Sequence, residues 1–177
     1  MRQRPGTLNF SDYFIIRMYN QNQAVKPQSF VKTIIIIHLA LFMGQVVFAA
    51  VVLFIAKQPV VNFKPGADPL FYMAPVLVLF GMAAGSFLFK QLRSKAAERE
   101  SLTAKLSAYQ AALIIRYALS EGPSLFCIVC MMITNNGYYL VIAGINILYF
   151  IMIRPSRTKI QDDLNLTYQE KAEMDPQ

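Results

Sequence analysis

Histidine occurs once, cysteine twice and tryptophan not at all, and only 15% of the 177 residues are charged. One histidine excludes bis-histidine haem ligation within a subunit, leaving only a His38 pair across a dimer. Two cysteines and one histidine fall short of the four ligands of a structural zinc site. No cofactor or metal is implied. No cluster of His, Asp and a nucleophile is present, which argues against a lipid-modifying or other enzyme. Low-complexity segments are absent too, and there is no repeat beyond two helical hairpins. Ordinary soluble domains carry about 25% charged residues; this chain is instead 55% hydrophobic, with a mean hydropathy of +0.39.

The apolar residues are concentrated in four runs, and a helix needs roughly 20 such residues to cross about 30 Å of hydrocarbon. The runs are 33–56, 70–89, 111–133 and 138–153, the last short at 16 residues. A turn-rich KQPVVNFKPGADP separates the first two, and Thr134-Asn-Asn-Gly137 separates the last two. The third run continues an amphipathic helix that is expected to start near Ser94. The first run is too long for a signal-peptide core and lacks a small-residue cleavage pattern, so it reads as a retained span. The expected fold is all-α: a polytopic membrane protein of four transmembrane helices in two hairpins, with 33–153 as the membrane domain. Short loops leave no room for a soluble domain, so any chemistry belongs to the spans, their mouths or the two tails.

Basic residues set the expected orientation. Of the 17 Lys and Arg, Arg2, Arg4, Arg17, Lys26 and Lys32 precede the first run. Lys90, Arg93, Lys95, Arg99 and Lys105 lie between the second and third, and Arg154, Arg157, Lys159 and Lys171 follow the fourth. The first outer loop holds only Lys57 and Lys64, and the second holds none. The positive-inside rule then places both termini in the cytoplasm of a cell bounded by an inner membrane. This basicity needs no nucleic acid; anionic lipid at the cytoplasmic face is the simpler partner. Segment 1–32 is expected to hold a short interfacial helix over FSDYFIIRMY, capped by Ser11 and stapled by Phe10 and Ile15. In the tail 154–177, Thr167 and Glu170 stand at capping-box spacing, so a short surface helix is expected from about Tyr168.

Inside the spans the polar inventory is small. Counted from the basic edge, His38 and Arg116 are each five residues in, about 7 to 8 Å, where Arg116 can snorkel. Gln45, Glu121 and Asn146 fall near the middle layer. At 100° per residue, Gln110, Tyr117, Glu121 and Ser124 share one face of the third helix, whereas Arg116 stands about 140° from Glu121. His38 and Gln45 share a face of the first helix, as do Tyr139 and Asn146 of the fourth, so three polar faces are able to converge. Glu121 is expected to be protonated or hydrogen-bonded, because an unpaired carboxylate in hydrocarbon costs at least a few kcal/mol. Two roles stay open for it: a proton- or cation-handling carboxylate, or a polar clamp between helices.

Gly122-Pro123 directly after Glu121 predicts a kink and frees the carbonyl of Leu119. Cys127 and Cys130 form a CxxC, but mid-helix and without a basic neighbour, so they read as small packing residues. Ala40 with Gly44, and Gly81 with Gly85, are small-xxx-small pairs suited to close helix approach and to oligomer contacts.

Three stretches, GQVVFA (44–49), YQAALIIRYALSEGPSLFCIV (109–129) and RPSRTKIQDDLNL (154–166), resemble a family of small four-helix inner-membrane proteins of Bacteroidota-type bacteria. That resemblance implies the four-span fold and carries no established activity. A looser likeness is to the proteolipid subunits of rotary ATPases, in which a mid-helix carboxylate carries the proton. The likeness rests on Glu121 alone, since their glycine-rich packing helix is missing here. The expectation is a non-enzymatic structural or interaction subunit, a homo-oligomer or part of a larger membrane complex. The alternative is a small proton- or cation-coupled transporter or channel, with Glu121, Gln45, Asn146, Tyr117, His38, Arg116 and Ser124 lining the route.

Overall fold

A computed structural model describes residues 27–56, 59–64 and 68–174. The interfacial helix expected over 10–19 lies outside the described residues. The described residues form six helices in order: α1 (Pro27–Ile55), α2 (Leu70–Ala97), α3 (Leu102–Thr134), α4 (Tyr138–Met152), α5 (Arg157–Asp163) and α6 (Tyr168–Glu173). The only β pairing among the described residues is a bridge between Val60 and Asn136.

The first three helices are each long and apolar enough to cross a membrane; α4 passes that test only together with α5, from which it is bent by 74°. With 15 residues, α4 rises about 22 Å. Large apolar side chains cover the outside of the bundle: Phe54 is 93% exposed, Phe80 and Leu79 65%, Leu148 63%. Such a surface is far more apolar than a soluble monomer carries and suits hydrocarbon. The inward stripe of α1 is narrow, Phe30, Ile34, His38, Gln45 and Val52, at spacings of four and seven. Helix α3 is the hub against which α1, α2 and α4 pack. Its buried face is the widest, from Leu102 to Met131.

Helix ends follow from local chemistry. Asp68 Oδ1 accepts the backbone N–H of Leu70 (2.9 Å) at the start of α2. Ser94 proves to lie within α2, and the break comes later: Ser101 is the N-cap of α3, its Oγ accepting from Ala104 N at 3.3 Å. Asn135 closes α3 in the left-handed region at φ 55°, one of the few non-glycine residue types that adopt it readily. The following turn is clamped to segment 59–64. Asn136 Oδ1 accepts from Asn62 N and Tyr138 N (both 3.0 Å), and Gly137 N donates to Val60 O at 3.0 Å.

Buried apolar residues fall into two separate clusters. One, at the basic end, joins Phe30, Ile34, Phe89, Leu106, Tyr109, Tyr117 and Phe150 to the tail residues Ile160, Leu164, Leu166 and Met174. The other, at the opposite end, contains Val52, Ala74, Val78, Cys127, Ile128, Cys130, Met131, Tyr138 and Tyr139. Both cysteines are thus buried free thiols within an apolar cluster.

The tail packs on its own bundle. Helix α6 begins with the full capping box of Thr167 and Glu170. Lys105 Nζ donates to Glu170 Oε1 at 2.7 Å, with both side chains mostly buried. Burial alone would raise the Glu170 carboxyl, but the hydrogen bonds from Lys105 and from Thr167, with the Lys105 charge, outweigh it and hold the group below its ordinary value of 4.5. A lowered carboxyl stabilises the folded state above its unfolded value, and that contribution disappears as pH falls through the folded one. Hydrogen exchange of residues 167–174 is therefore expected to stay protected from pH 7 to 5 and to rise sharply below 4.5. Glu170→Gln should abolish this transition; a transition unchanged in that variant would refute the assignment.

Candidate functional site

Between the two apolar clusters lies a polar layer. Asn146 of α4 is fully buried, and its Nδ2 donates to Ser120 O (2.6 Å) and Ser124 Oγ (2.7 Å) of α3. The amide orientation follows from chemistry, because the Ser120 carbonyl only accepts and must face nitrogen. From α1, Gln45 is also fully buried, with Nε2 3.5 Å from Leu41 O of its own helix. His38 stacks on Phe150 of α4, ring centroids 4.6 Å apart, and tilts against Tyr117 of α3 at 5.0 Å. The three polar faces of α1, α3 and α4 therefore meet at the bundle axis.

Six buried polar atoms in this layer and on its basic side have no hydrogen-bond partner among the described residues: His38 Nδ1, Gln45 Oε1, Arg116 Nε, Tyr117 OH, Ser120 Oγ and Asn146 Oδ1. Buried groups of this kind each cost about 1 to 3 kcal/mol when left unpaired, and native proteins tolerate few of them. Beside its internal hydrogen bonds, the layer thus offers several donors and acceptors that a further polar group could meet.

Glu121 stands apart from this layer. It sits at the level of Ser120 on α3 but is half-buried, beside exposed Ala118 and Gly122. Among the described residues nothing donates a hydrogen bond to its carboxylate and no cation pairs with it. Arg116 lies elsewhere: its guanidinium covers the Phe89 ring of α2, 4.7 Å from the centroid, a cation–π contact.

Helix α3 runs without interruption through Gly122 and Pro123. Its freed Leu119 carbonyl abuts Gly81 of α2: a Cβ at Gly81 would lie 2.4 Å from Leu119 O and 2.8 Å from Pro123 Cγ. Gly85 is looser, 3.4 Å from Arg116 O by the same measure, and Gly44 faces open space. Ala40 and Gly44 are exposed on the outside of α1. Of the two small-residue pairs, then, only the one on α2 makes close helix contact within the chain.

Two further constellations have no short-range signature in the sequence. At the basic end, Asp163 of α5 accepts from Tyr109 OH at 2.7 Å and pairs with Arg93. At the other end, Asp68 accepts from Tyr139 OH at 2.7 Å. Each end of the bundle is thus latched by a phenol and a carboxylate, Tyr109 of α3 with Asp163 of α5 at one end and Tyr139 of α4 with Asp68, just before α2, at the other. Ser120 did carry a signal, since it lies three residues after Tyr117 and four before Ser124 on one face. Among the described residues, no three His, Cys, Asp or Glu side chains are grouped as a metal site would require. No family model, curated protein or solved structure matches the chain.

Proposed function

We propose that the chain is a structural or interaction subunit of an inner-membrane assembly, and that it assembles through the flank of α3 carrying Glu121. The observation that carries this reading is a half-buried carboxylate, midway along a membrane helix, with no partner among the described residues. At that depth an unpaired carboxylate is costly, and such groups characteristically face a partner or a water-filled path. A hydrogen-bond donor or cation from a second copy, or from another subunit, answers the need. In this reading both termini and the 98–101 loop are cytoplasmic, in keeping with the Lys and Arg distribution, and the chain belongs with the small four-helix proteins that its motifs resemble.

The test is Glu121→Ala against Glu121→Gln, with mass measured in detergent by light scattering. Loss of assembly by at least tenfold in association constant is expected for Ala, and partial retention for Gln, which still hydrogen-bonds. Wild-type assembly by both variants would overturn the proposal. The unpartnered atoms of the polar layer favour a second reading, a proton- or cation-coupled transporter. In liposomes, a Gln variant that assembles normally but loses proton flux would select it.

A further inference from the structure

At the basic end, an open-sided groove of about 360 Å³ runs between α1 and the end of α4. Its walls are apolar, Ile35, Leu39 and Phe42 on one side and Ile151 with Pro155 on the other; Arg154 and His38 are its polar groups. Among the described residues no acidic side chain lines it. Arg154 follows α4 directly and is exposed, with no carboxylate bound to it among the described residues. His38 is only 8% exposed, and its Nδ1 is buried without a partner.

We infer that this groove binds an anionic phospholipid, its phosphate on Arg154 with His38 beside it and an acyl chain along Ile35, Leu39 and Phe42. Three features select this occupant. The apolar walls face the hydrocarbon, so a lipid chain fills them by default. The cation lies at the end of the last span, where headgroups begin, and a guanidinium fits phosphate with two parallel hydrogen bonds. Among the described residues no carboxylate stands ready to hold the ammonium of a zwitterionic lipid, so charge complementarity favours a lipid of net negative charge. The bend after α4 matters here, because it carries α5 off at 74° and leaves the mouth between α1 and Arg154 open. The inference uses neither Glu121 nor the assignment of this end to the cytoplasm, so it stands or falls apart from the proposal above.

The full chain in phosphatidylcholine vesicles, doped with spin-labelled phosphatidylglycerol or spin-labelled phosphatidylcholine, tests it through the motionally restricted fraction of the label. Phosphatidylglycerol is expected to associate about fivefold more strongly, the factor that one surface cation supplies. Arg154→Gln should bring the ratio close to one, while Lys95→Gln, which removes an exposed charge at the end of α2, should leave it unchanged. Ile35→Trp, which fills the groove and retains every charge, should also lower it, with helicity and melting temperature confirming the fold. Replacing chloride by inorganic phosphate at equal ionic strength should not displace the lipid. Equal losses in Arg154→Gln and Lys95→Gln would indicate smeared surface charge and overturn the site. So would the absence of any preference in the wild type, an unchanged ratio in Ile35→Trp, or displacement by free phosphate.

Discussion

Gly81→Ala is expected to destabilise the bundle by about 2 kcal/mol, the scale of overpacking in a close-packed interior. The reason is the identity of the obstructing atoms. A new Cβ would stand 2.4 Å from the Leu119 carbonyl oxygen and 2.8 Å from Pro123 Cγ; one is backbone and the other a ring, so neither can rotate aside. Relief requires α2 and α3 to separate, which disturbs the most extensive helix pair of the fold. Alanine is otherwise the better helix former by about 1 kcal/mol, so the comparison is sharp. Gly44→Ala and Gly144→Ala, whose Cβ positions meet nothing within 4 Å, should be neutral or stabilising. Gly85→Ala, at 3.4 Å from Arg116 O, should fall between. Melting in detergent micelles checks the series, and a Gly81→Ala protein as stable as Gly44→Ala would refute the contact.

The second large effect is expected from Asn146→Ala, about 2 kcal/mol. This substitution deletes both donations that join α4 to α3. It also leaves a void at a fully buried position, and cavities add to the loss. Hydrogen bonds between membrane helices average only about 0.6 kcal/mol, so the void accounts for much of the expected cost. A double-mutant cycle with Ser124→Ala separates the two contributions: the coupling should be about 1 kcal/mol if the amide–hydroxyl bond is real, and near zero if Asn146 merely fills space. Asn146→Asp provides a further contrast. Its carboxylate would face the Ser120 carbonyl at the same 2.6 Å, which is repulsive unless the acid is protonated.

What the residues announced in advance was set by periodicity. The apolar runs give the spans, and the spacing of His38 with Gln45, of Tyr139 with Asn146, and of Tyr117 with Ser124 brings three polar faces together at the axis. Register arguments of this kind fail at face edges. Glu121 is only 40° from Tyr117 by helical arithmetic, yet Tyr117 is fully buried and Glu121 is half-exposed. The edge of a helix face depends on how its neighbours are placed, which no single helix encodes. Partners distant in sequence were equally hidden. Tyr109 meets Asp163 across 54 residues and Arg93 meets it across 70, and nothing local marks Asp163 rather than Asp162. Local chemistry did mark α6, through the capping box at Thr167. The cap at Ser101 was not read from the sequence, because the continuous charge pattern from Ser94 onward obscured the break.

Helix α4 has one more consequence. It rises about 22 Å, whereas α1 with 29 residues and α2 with 28 exceed 40 Å. Were all three to cross one bilayer, they could not match it together: the long helices would tilt or extend past the headgroups, and beside α4 the leaflets would thin, at a cost of a fraction of a kcal/mol per ångström of mismatch. The lipid shell would then be lopsided, compressed on the α4 side and relaxed elsewhere. The thinned sector would fall on the flank that carries Ile151 and Arg154, so that the protein would shape the local membrane as much as be shaped by it.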